Sequence, residues 1–375
     1  MRVVFDALGL QESGGAKFSA LGWMQNVALQ GKADQFLTIV SRPEPELEGL
    51  DNLEQIVAPV SGRFAVRVWA QTQLSRIVKV SGADLLHFTK NHGVLRPSQP
   101  CVITVNDLNR LYYPSMFSRV DVVYWKTIQR LVFRSVDRII AISHSTKRDL
   151  LKFYRVPAEK IDVIYPAVSS RFQRRNLDQA KLSHVLETYG VRPPYILSVG
   201  GMASHKNVYT TMRAFYALRE AGGLSGHTFV MVGERLHTHN DPRLFELAEQ
   251  HANEGVDFLG LVKGEDLPYL YAGASLFVYP SLYEGFGLAP LEAMSAGVPV
   301  LSSQAGSLPE VLGDAAWQVE HPRDVDECAE AMLQILTRPS VWQELQERGF
   351  TNAARFSWSQ TAQRTLALYE ELIQE

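Results

Sequence analysis

Short apolar runs alternate with longer stretches of mixed polarity along the whole chain. In the first half the runs are Val3–Leu8, Phe36–Val40, Leu85–Phe88, Val102–Val105 and Arg138–Ile142. In the second they are Tyr195–Val199, Thr228–Val232, Val256–Leu259, Leu276–Tyr279 and Val298–Ser302. Most stop at Gly, Asp, Ser or Pro. Runs this short and continuous predict strands buried on both faces, and the stretches between them predict covering helices, so each half reads as βαβ units around a parallel sheet. Because the pattern occurs twice, two doubly wound α/β domains are expected, over residues 1–172 and 190–356. Tyr165–Pro194, with Pro166, the polar stretch Ser169–Gln179 and Pro193-Pro194, reads as the linker. The last segment, Ser357–Glu375, reads as a helix that packs back on the first domain, with Leu366, Leu368, Leu372 and Ile373 as part of its apolar face.

Composition narrows the class. The 375 residues are 46% apolar and 21% charged, enough apolar material for two cores. No run is long enough to cross a membrane, and MRVVFDALGL reads as a first strand rather than a signal peptide. The two cysteines, Cys101 and Cys328, lie far apart, which argues against a disulfide framework or zinc site and fits a reducing cytoplasm. The net charge of −3 conceals an asymmetry. Residues 1–190 hold 25 Lys+Arg against 17 Asp+Glu, whereas residues 191–375 hold 12 against 23. A basic first half and an acidic second half suggest different partners, although ordinary solvated faces would give the same counts.

In open parallel sheets ligands bind beyond the carboxyl ends of the strands, so chemistry is sought in the loops that follow the runs. The richest is Pro280–Ser303, PSLYEGFGLAPLEAMSAGVPVLSS, after Leu276–Tyr279. Glu284, Gly285, Phe286 and Gly287 form a loop, and a helix is expected from Leu288, with Pro290 tolerated in its first turn. The glycines let backbone approach a ligand, and the helix start offers N–H groups to an anion. Glu284 before the helix and Glu292, expected in its first turn, could accept hydrogen bonds from sugar hydroxyls; a charged, dipole-favoured helix start would look the same. Lys206, in the loop Gly200–Asn207 after Tyr195–Val199, could neutralise a diphosphate. Ser13-Gly14-Gly15 follows the first run, and TVNDLNRLYYP (Thr104–Pro114) follows another. His87, after Leu85–Leu86, could reach the cleft but is read in preference as a partly buried strand-end histidine. Asp324-Val325-Asp326 is read as a helix cap rather than a metal-binding pair, and no other cluster has metal-ligand spacing. Asn109–Arg138 mixes aromatic and basic residues; Trp125 and Phe133 are expected in the core, and the exposed cations remain candidates for an acceptor or membrane-surface patch. No nucleic-acid module is present.

The spacing Glu284-x7-Glu292 within EGFGLAPLEAMSAGVPV resembles the signature of family-4 retaining glycosyltransferases of the GT-B fold. Phe258–Gly260, Leu267–Tyr271, Ser307–Glu310, Val136–Ser143, Lys160–Val168 and Tyr195–Asn207 follow the family pattern in order, so the likeness covers nearly the whole chain. It is strongest to members that move mannose from GDP-mannose in bacterial polysaccharide assembly. The resemblance implies two Rossmann-like domains facing across a cleft, a nucleotide-diphosphate sugar as donor, a saccharide or lipid-linked saccharide as acceptor, and no metal or other cofactor. It implies that Glu284 binds donor-sugar hydroxyls and Glu292 the ribose. Gly285, Phe286, Gly287 and Leu288 hold sugar or phosphates by their N–H groups. His205 and Lys206 meet the diphosphate, and Val262, Gly14 and Gly15 also line the donor site. Glu284, Lys206, Asn106 and Asp107 form the catalytic set. Two positions depart from the family. Gly201 stands where an arginine is common, and Asn106 where a histidine is; asparagine keeps hydrogen bonding but exchanges no proton. A UDP-sugar enzyme and a non-catalytic nucleotide-sugar-binding subunit are the alternatives. A cytoplasmic enzyme that touches an anionic membrane face peripherally is compatible with the basic first half.

Overall fold

The computed structural model describes residues 1–10, 15–224, 226–233, 241–252 and 254–375, residue 63 by its backbone alone. The chain divides into two compact units, residues 1–167 with 356–375, and residues 168–355.

Unit 1 is built on seven parallel strands: β1 (Arg2–Asp6), β2 (Gln35–Val40), β3 (Leu53–Val57), β4 (Leu85–Phe88), β5 (Cys101–Val105), β6 (Arg138–Ala141) and β7 (Ile161–Val163), in the order β3-β2-β1-β4-β5-β6-β7. The chain winds outward from β1 in one direction and from β4 in the other, so the switch point lies between them. The central strands are the continuous apolar runs, and every residue of β4 and β5 is buried. β3 and β7 were not marked by the apolar pattern. β3 is a half-buried edge strand, LEQIV, and β7 has three residues, too few for either period to show. β1 stops two residues before the expected Leu8 because the Asp6 side chain accepts the Leu8 N–H (3.1 Å) and turns the chain.

The C-terminal helix Trp358–Gln374 belongs to this unit and packs on the helix Gly15–Gln30. Trp23 Nε1 donates to Thr365 Oγ1 (3.0 Å), and Trp358 lies edge-on to Trp23. Leu368 and Leu372 are buried as expected, but Ile373 is exposed; Ala362, Thr365 and Tyr369 complete the buried face. Tyr369 shares a hydrogen bond with His87 Nδ1 (2.5 Å), whose Nε2 meets Thr104 Oγ1 (2.8 Å). His87 is thus a buried link between sheet and terminal helix. Trp125 and Phe133 are fully buried.

Unit 2 has six parallel strands: β8 (Tyr195–Val199), β9 (Thr228–Val232), β10 (Val256–Gly260), β11 (Leu276–Tyr279), β12 (Val300–Ser303) and β13 (Trp317–Val319), in the order β10-β9-β8-β11-β12-β13. Its switch point lies between β8 and β11. β12 begins at Val300 instead of Val298 because Val298 N–H closes the preceding helix on Ala293 O (3.0 Å) and Pro299 has no N–H. Asp324 caps the helix Val325–Thr337, its Oδ1 accepting the N–H groups of Asp326 (2.9 Å) and Glu327 (3.1 Å). From Val168 onward the segment read as a linker is folded into this unit. Phe172 is buried edge-on to Tyr271, Arg174 Nη1 donates to Ala272 O (2.7 Å), and Gln179–Thr188 is a helix whose N-cap is Asp178. Its polar residues face solvent, and a few buried anchors hold it, which a compositional reading cannot see. Among the described residues no helix is long and apolar enough to cross a membrane.

Candidate functional site

In unit 2 the loops that follow β8 and β11, the two strands at the switch point, carry Lys206 and Glu284. Lys206 Nζ lies 2.7 Å from Glu284 Oε1 and donates to the Tyr279 hydroxyl (2.8 Å), 5.1 Å above the centre of that ring. Both side chains are largely withdrawn from water, Lys206 21% and Glu284 11% exposed. Burial works against both charges, but each partner's field outweighs it. Glu284 is held below the ordinary carboxylate range by Lys206 and then His205, and Lys206 is held above the ordinary ammonium range by Glu284. Both are therefore charged near neutral pH. The expected sugar-binding carboxylate and phosphate-binding ammonium form one ion pair.

The loops are pinned from both sides. The Leu282 N–H donates to His205 O (2.7 Å), and Asn207 Nδ2 donates to Pro280 O (3.1 Å) and to Pro322 O. After β12, Ser307 N and Oγ both donate to Glu284 O (3.1 Å each), and Ser307 Oγ also bonds Phe286 O (2.9 Å). Gly306, at φ +61°, lies so close to the Glu284 backbone that a Cβ there would collide with it. Gly287, at φ +102°, is the N-cap of the helix Leu288–Ser295, the start expected for it. Glu292 sits in the second turn, not the first. The helix begins at Leu288, so four residues precede it. Its Oε2 accepts the Tyr271 hydroxyl (2.9 Å). Burial pushes its carboxyl up to about 7, against that hydrogen bond and the field of Arg171. Glu292 thus titrates near neutrality, whereas Glu284 does not.

Other expected residues are placed less centrally. Val262 follows β10, which β9 separates from β8. Gly201 is exposed beside the φ +135° Gly200. Tyr279 and Tyr271 are site residues that the sequence reading did not single out; Tyr279 ends an apolar run and Tyr271 lies in the helix Leu267–Ala272, and only folding shows where each hydroxyl points.

In unit 1 a cavity of about 240 Å³ opens beyond the carboxyl ends of β1, β4 and β5. Asn106 and Asp107 line it, as do Asp6, Lys90, Asn91, His92, Arg67, Arg110 and Tyr124. Asn91 is the hub. Its Oδ1 accepts the Asn106 N–H (2.7 Å), and its Nδ2 donates to Asp107 O (3.1 Å). Asp107 Oδ1 accepts the Asn109 N–H (3.0 Å) and so turns the chain into the next helix. Lys90 Nζ reaches Gly9 O (2.7 Å). Burial raises the Asp6 carboxyl to about 6 and lowers the His92 ring to about 3, the latter with help from the cations Arg67, Arg110 and Lys90. Donors and acceptors of both signs around a small concavity suit a polyhydroxylated ligand. Asp6 escaped the sequence reading because it lies inside the run Val3–Leu8, as the last residue of β1, and Lys90–His92 escaped it although they follow the run Leu85–Phe88, where the strand-end rule points. Gly14 lies outside the described residues. Gly15 starts the helix Gly15–Gln30 with open space where a Cβ would be, so no close backbone approach requires glycine there.

Residues 193–338 match the family model described as glycosyl transferases group 1, and residues 31–172 match glycosyltransferase family 4. The chain is 34% identical over 292 residues to the O-antigen chain mannosyltransferase B of Escherichia coli, covering 77% of this chain and 75% of that one. The chain belongs to glycosyltransferase family 4. Its two doubly wound parallel sheets are those of the GT-B fold. WaaG, a glycosyltransferase involved in lipopolysaccharide biosynthesis, superposes with a TM-score of 0.77 at 18% identity, over 98% of this chain and 99% of that one. HepE of Anabaena, solved in complex with UDP-glucose, gives 0.76 at 18% identity over 98% and 99%. The family-4 match encloses Asn106 and Asp107, the group 1 match encloses Lys206, Val262, Glu284 and Glu292, and both leave Gly14 and Gly15 outside.

Proposed function

We propose that this glycosyltransferase moves a hexose, mannose from GDP-mannose, to a saccharide or lipid-linked saccharide acceptor in polysaccharide synthesis, with retention at the anomeric carbon and without a metal ion. The observation that carries the reading is the largely buried Lys206–Glu284 pair at the switch point of unit 2. In this reading unit 2 binds the donor. Lys206, with three N–H donors, keeps Glu284 and adds a diphosphate oxygen, supplying the positive charge that a leaving diphosphate needs. Glu284 accepts hydrogen bonds from sugar hydroxyls, and Glu292, when ionised, accepts them from the ribose. His205 and the loop 285–288 complete the donor site. Unit 1 binds the acceptor in the cavity lined by Asn106 and Asp107, where the Asn106 amide can orient a hydroxyl but not exchange its proton. The C1–O bond to the diphosphate breaks, the acceptor oxygen bonds C1 on the same face, and the acceptor proton passes to the departing diphosphate. The mannose assignment draws on the Escherichia coli relative named as a mannosyltransferase. The enzyme works in the cytoplasm, peripherally at an anionic membrane face when its acceptor is lipid-linked.

The test is a thermal-shift series with nucleotide sugars, since a donor that binds the native state raises its stability. GDP-mannose is expected to raise Tm in the unaltered chain and not in Lys206→Ala or Glu292→Ala. No shift with any nucleotide sugar would sink the reading. A shift with UDP-glucose alone would favour a UDP-sugar donor, a reading that the likeness to the UDP-glucose-bound HepE supports. A shift without turnover on any acceptor would favour a binding subunit.

A further inference from the structure

The loop after β4 carries a ring that packing does not explain. His92 lines the cavity of unit 1, and the backbone on both sides of it is tied down. Before it, Asn91 O accepts Gln129 Nε2 from the helix Arg119–Ser135 (2.5 Å), while the Asn91 side chain holds the backbone of Asn106 and Asp107. After it, Gly93 O accepts Gln71 Nε2 (3.1 Å), and the Leu95 N–H donates to Gln71 Oε1 (3.0 Å). Gly93 lies so close to the same helix that a Cβ there would meet Val132 Cγ1 at 2.8 Å. Gln71 reaches the loop from a π-helical turn, Ala70–Leu74, that continues the helix Arg63–Trp69; such turns are frequent at functional sites.

The His92 ring stands edge-on to the buried Trp125, with centroids 6.2 Å apart. Its Nδ1 is buried and has no hydrogen-bond partner among the described residues. A buried polar atom without a partner costs stability, and a phenyl ring would fill the same place without that cost. Packing against Trp125 therefore does not call for an imidazole. The opposite edge faces the cavity: Cδ2, bonded to Nε2, lies 3.9 Å from a Cβ built on Gly9, another lining residue. Burial, and then the cations Arg67, Arg110 and Lys90, hold the ring uncharged at neutral pH. A neutral imidazole offers one donor and one acceptor, which matches a sugar hydroxyl.

We propose that His92 binds the acceptor saccharide, its Nε2 hydrogen-bonding one sugar hydroxyl in the cavity that Asn106 also lines, and that the enzyme selects acceptors by that hydroxyl. The inference rests on the reading of this cavity as the acceptor site. Asn91, bonded to the backbone of both Asn106 and Asp107, sets His92 in fixed register with them. The ring is thus positioned before any saccharide arrives, and binding need not order the loop.

The test is an NMR titration of the full chain, isotope-labelled at histidine, with methyl α-mannoside, α-mannobiose and methyl α-glucoside. The ring signals missing from His92→Gln identify those of His92, and they are expected to move saturably with at least one of these saccharides. His92→Phe should weaken binding of that saccharide about tenfold. Its Tm should equal or exceed that of the unaltered chain, because the unpaired nitrogen is gone, and the GDP-mannose shift should remain. A monodeoxy analogue lacking the bonded hydroxyl should bind the unaltered chain as weakly as the parent saccharide binds His92→Phe, and lose nothing further in that variant. His92 signals that no saccharide moves, or a saccharide affinity that His92→Phe and His92→Gln both leave unchanged, would overturn the assignment. With the GDP-mannose shift intact, that failure leaves the donor reading standing. Absence of any donor shift alongside saccharide-dependent His92 signals would remove the glycosyltransfer reading and leave His92 as a saccharide-binding residue.

Discussion

Replacing Lys206 by methionine keeps the aliphatic stem and removes the charge that Glu284 faces. At 2.7 Å and an effective dielectric of about 20, the gross attraction is about 6 kcal/mol, most of which offsets the desolvation of the two ions. The single substitution is therefore costly for another reason: it leaves a carboxylate largely out of water without its cation. Breaking a fully buried pair costs about 3–5 kcal/mol, and with 21% and 11% of these side chains still exposed the lower range applies, about 2–3 kcal/mol. For a unit of this size that lowers Tm by about 5–10 °C. Glu284→Gln in the same background removes the stranded charge, so Lys206→Met/Glu284→Gln should be more stable than the sum of the singles predicts, with a coupling of about 1–3 kcal/mol. The loss in Lys206→Met should also shrink as pH falls, because burial without the cation raises the Glu284 pKa and protonation relieves it. Urea denaturation of the four proteins at several pH values measures all three terms. Singles that add to within about 0.5 kcal/mol, at every pH, would refute the claim that the two side chains are energetically one unit.

Glu292, raised to about 7 from an ordinary value near 4.5, binds its proton more tightly folded than unfolded, so it costs stability as pH rises from 4.5 to 7 and the full cost remains above 7. Glu292→Gln should stabilise at pH 8 by at most about 3 kcal/mol and do nothing at pH 4.5, read by denaturant titration at the two values. His87 has the opposite sign: lowered to about 3, it contributes stability that is complete above 6.5 and is lost as pH falls below it, by about 1.4 kcal/mol per unit. Tyr369→Phe removes one of its partners and should cost about 1–3 kcal/mol at neutral pH, seen as earlier unfolding in urea. Gly306→Ala puts a Cβ into the Glu284 backbone at a left-handed φ; loss of the donor-induced Tm shift with the fold retained by circular dichroism is expected, and an unchanged shift would show that the loop yields.

The strand cores were legible because parallel strands buried on both faces must be short, continuous apolar runs, and β8, β9 and β11 occupy the expected residues. The helix start at Leu288 and the cap at Asp324 were legible for an equally local reason, since glycine, proline and aspartate act on their own neighbours. Edge and three-residue strands were not, because half-burial and shortness erase the period. The polar stretch after Ser169 was misread as linker because a few anchors, Phe172 and Arg174, fold it into unit 2 through contacts distant in sequence.

By itself, then, the sequence determined the fold class, the family and the loops where chemistry sits, since each rests on local periodicity or on a motif whose residues are neighbours in the chain. Only the tertiary structure decided that Lys206 and Glu284 neutralise each other, that Glu292 titrates near 7 while Glu284 stays ionised, and that Asn91 organises the cavity around Asn106. Charge state and partnership depend on burial and on distances between segments that parallel crossovers bring together, and one-dimensional spacing holds no record of either.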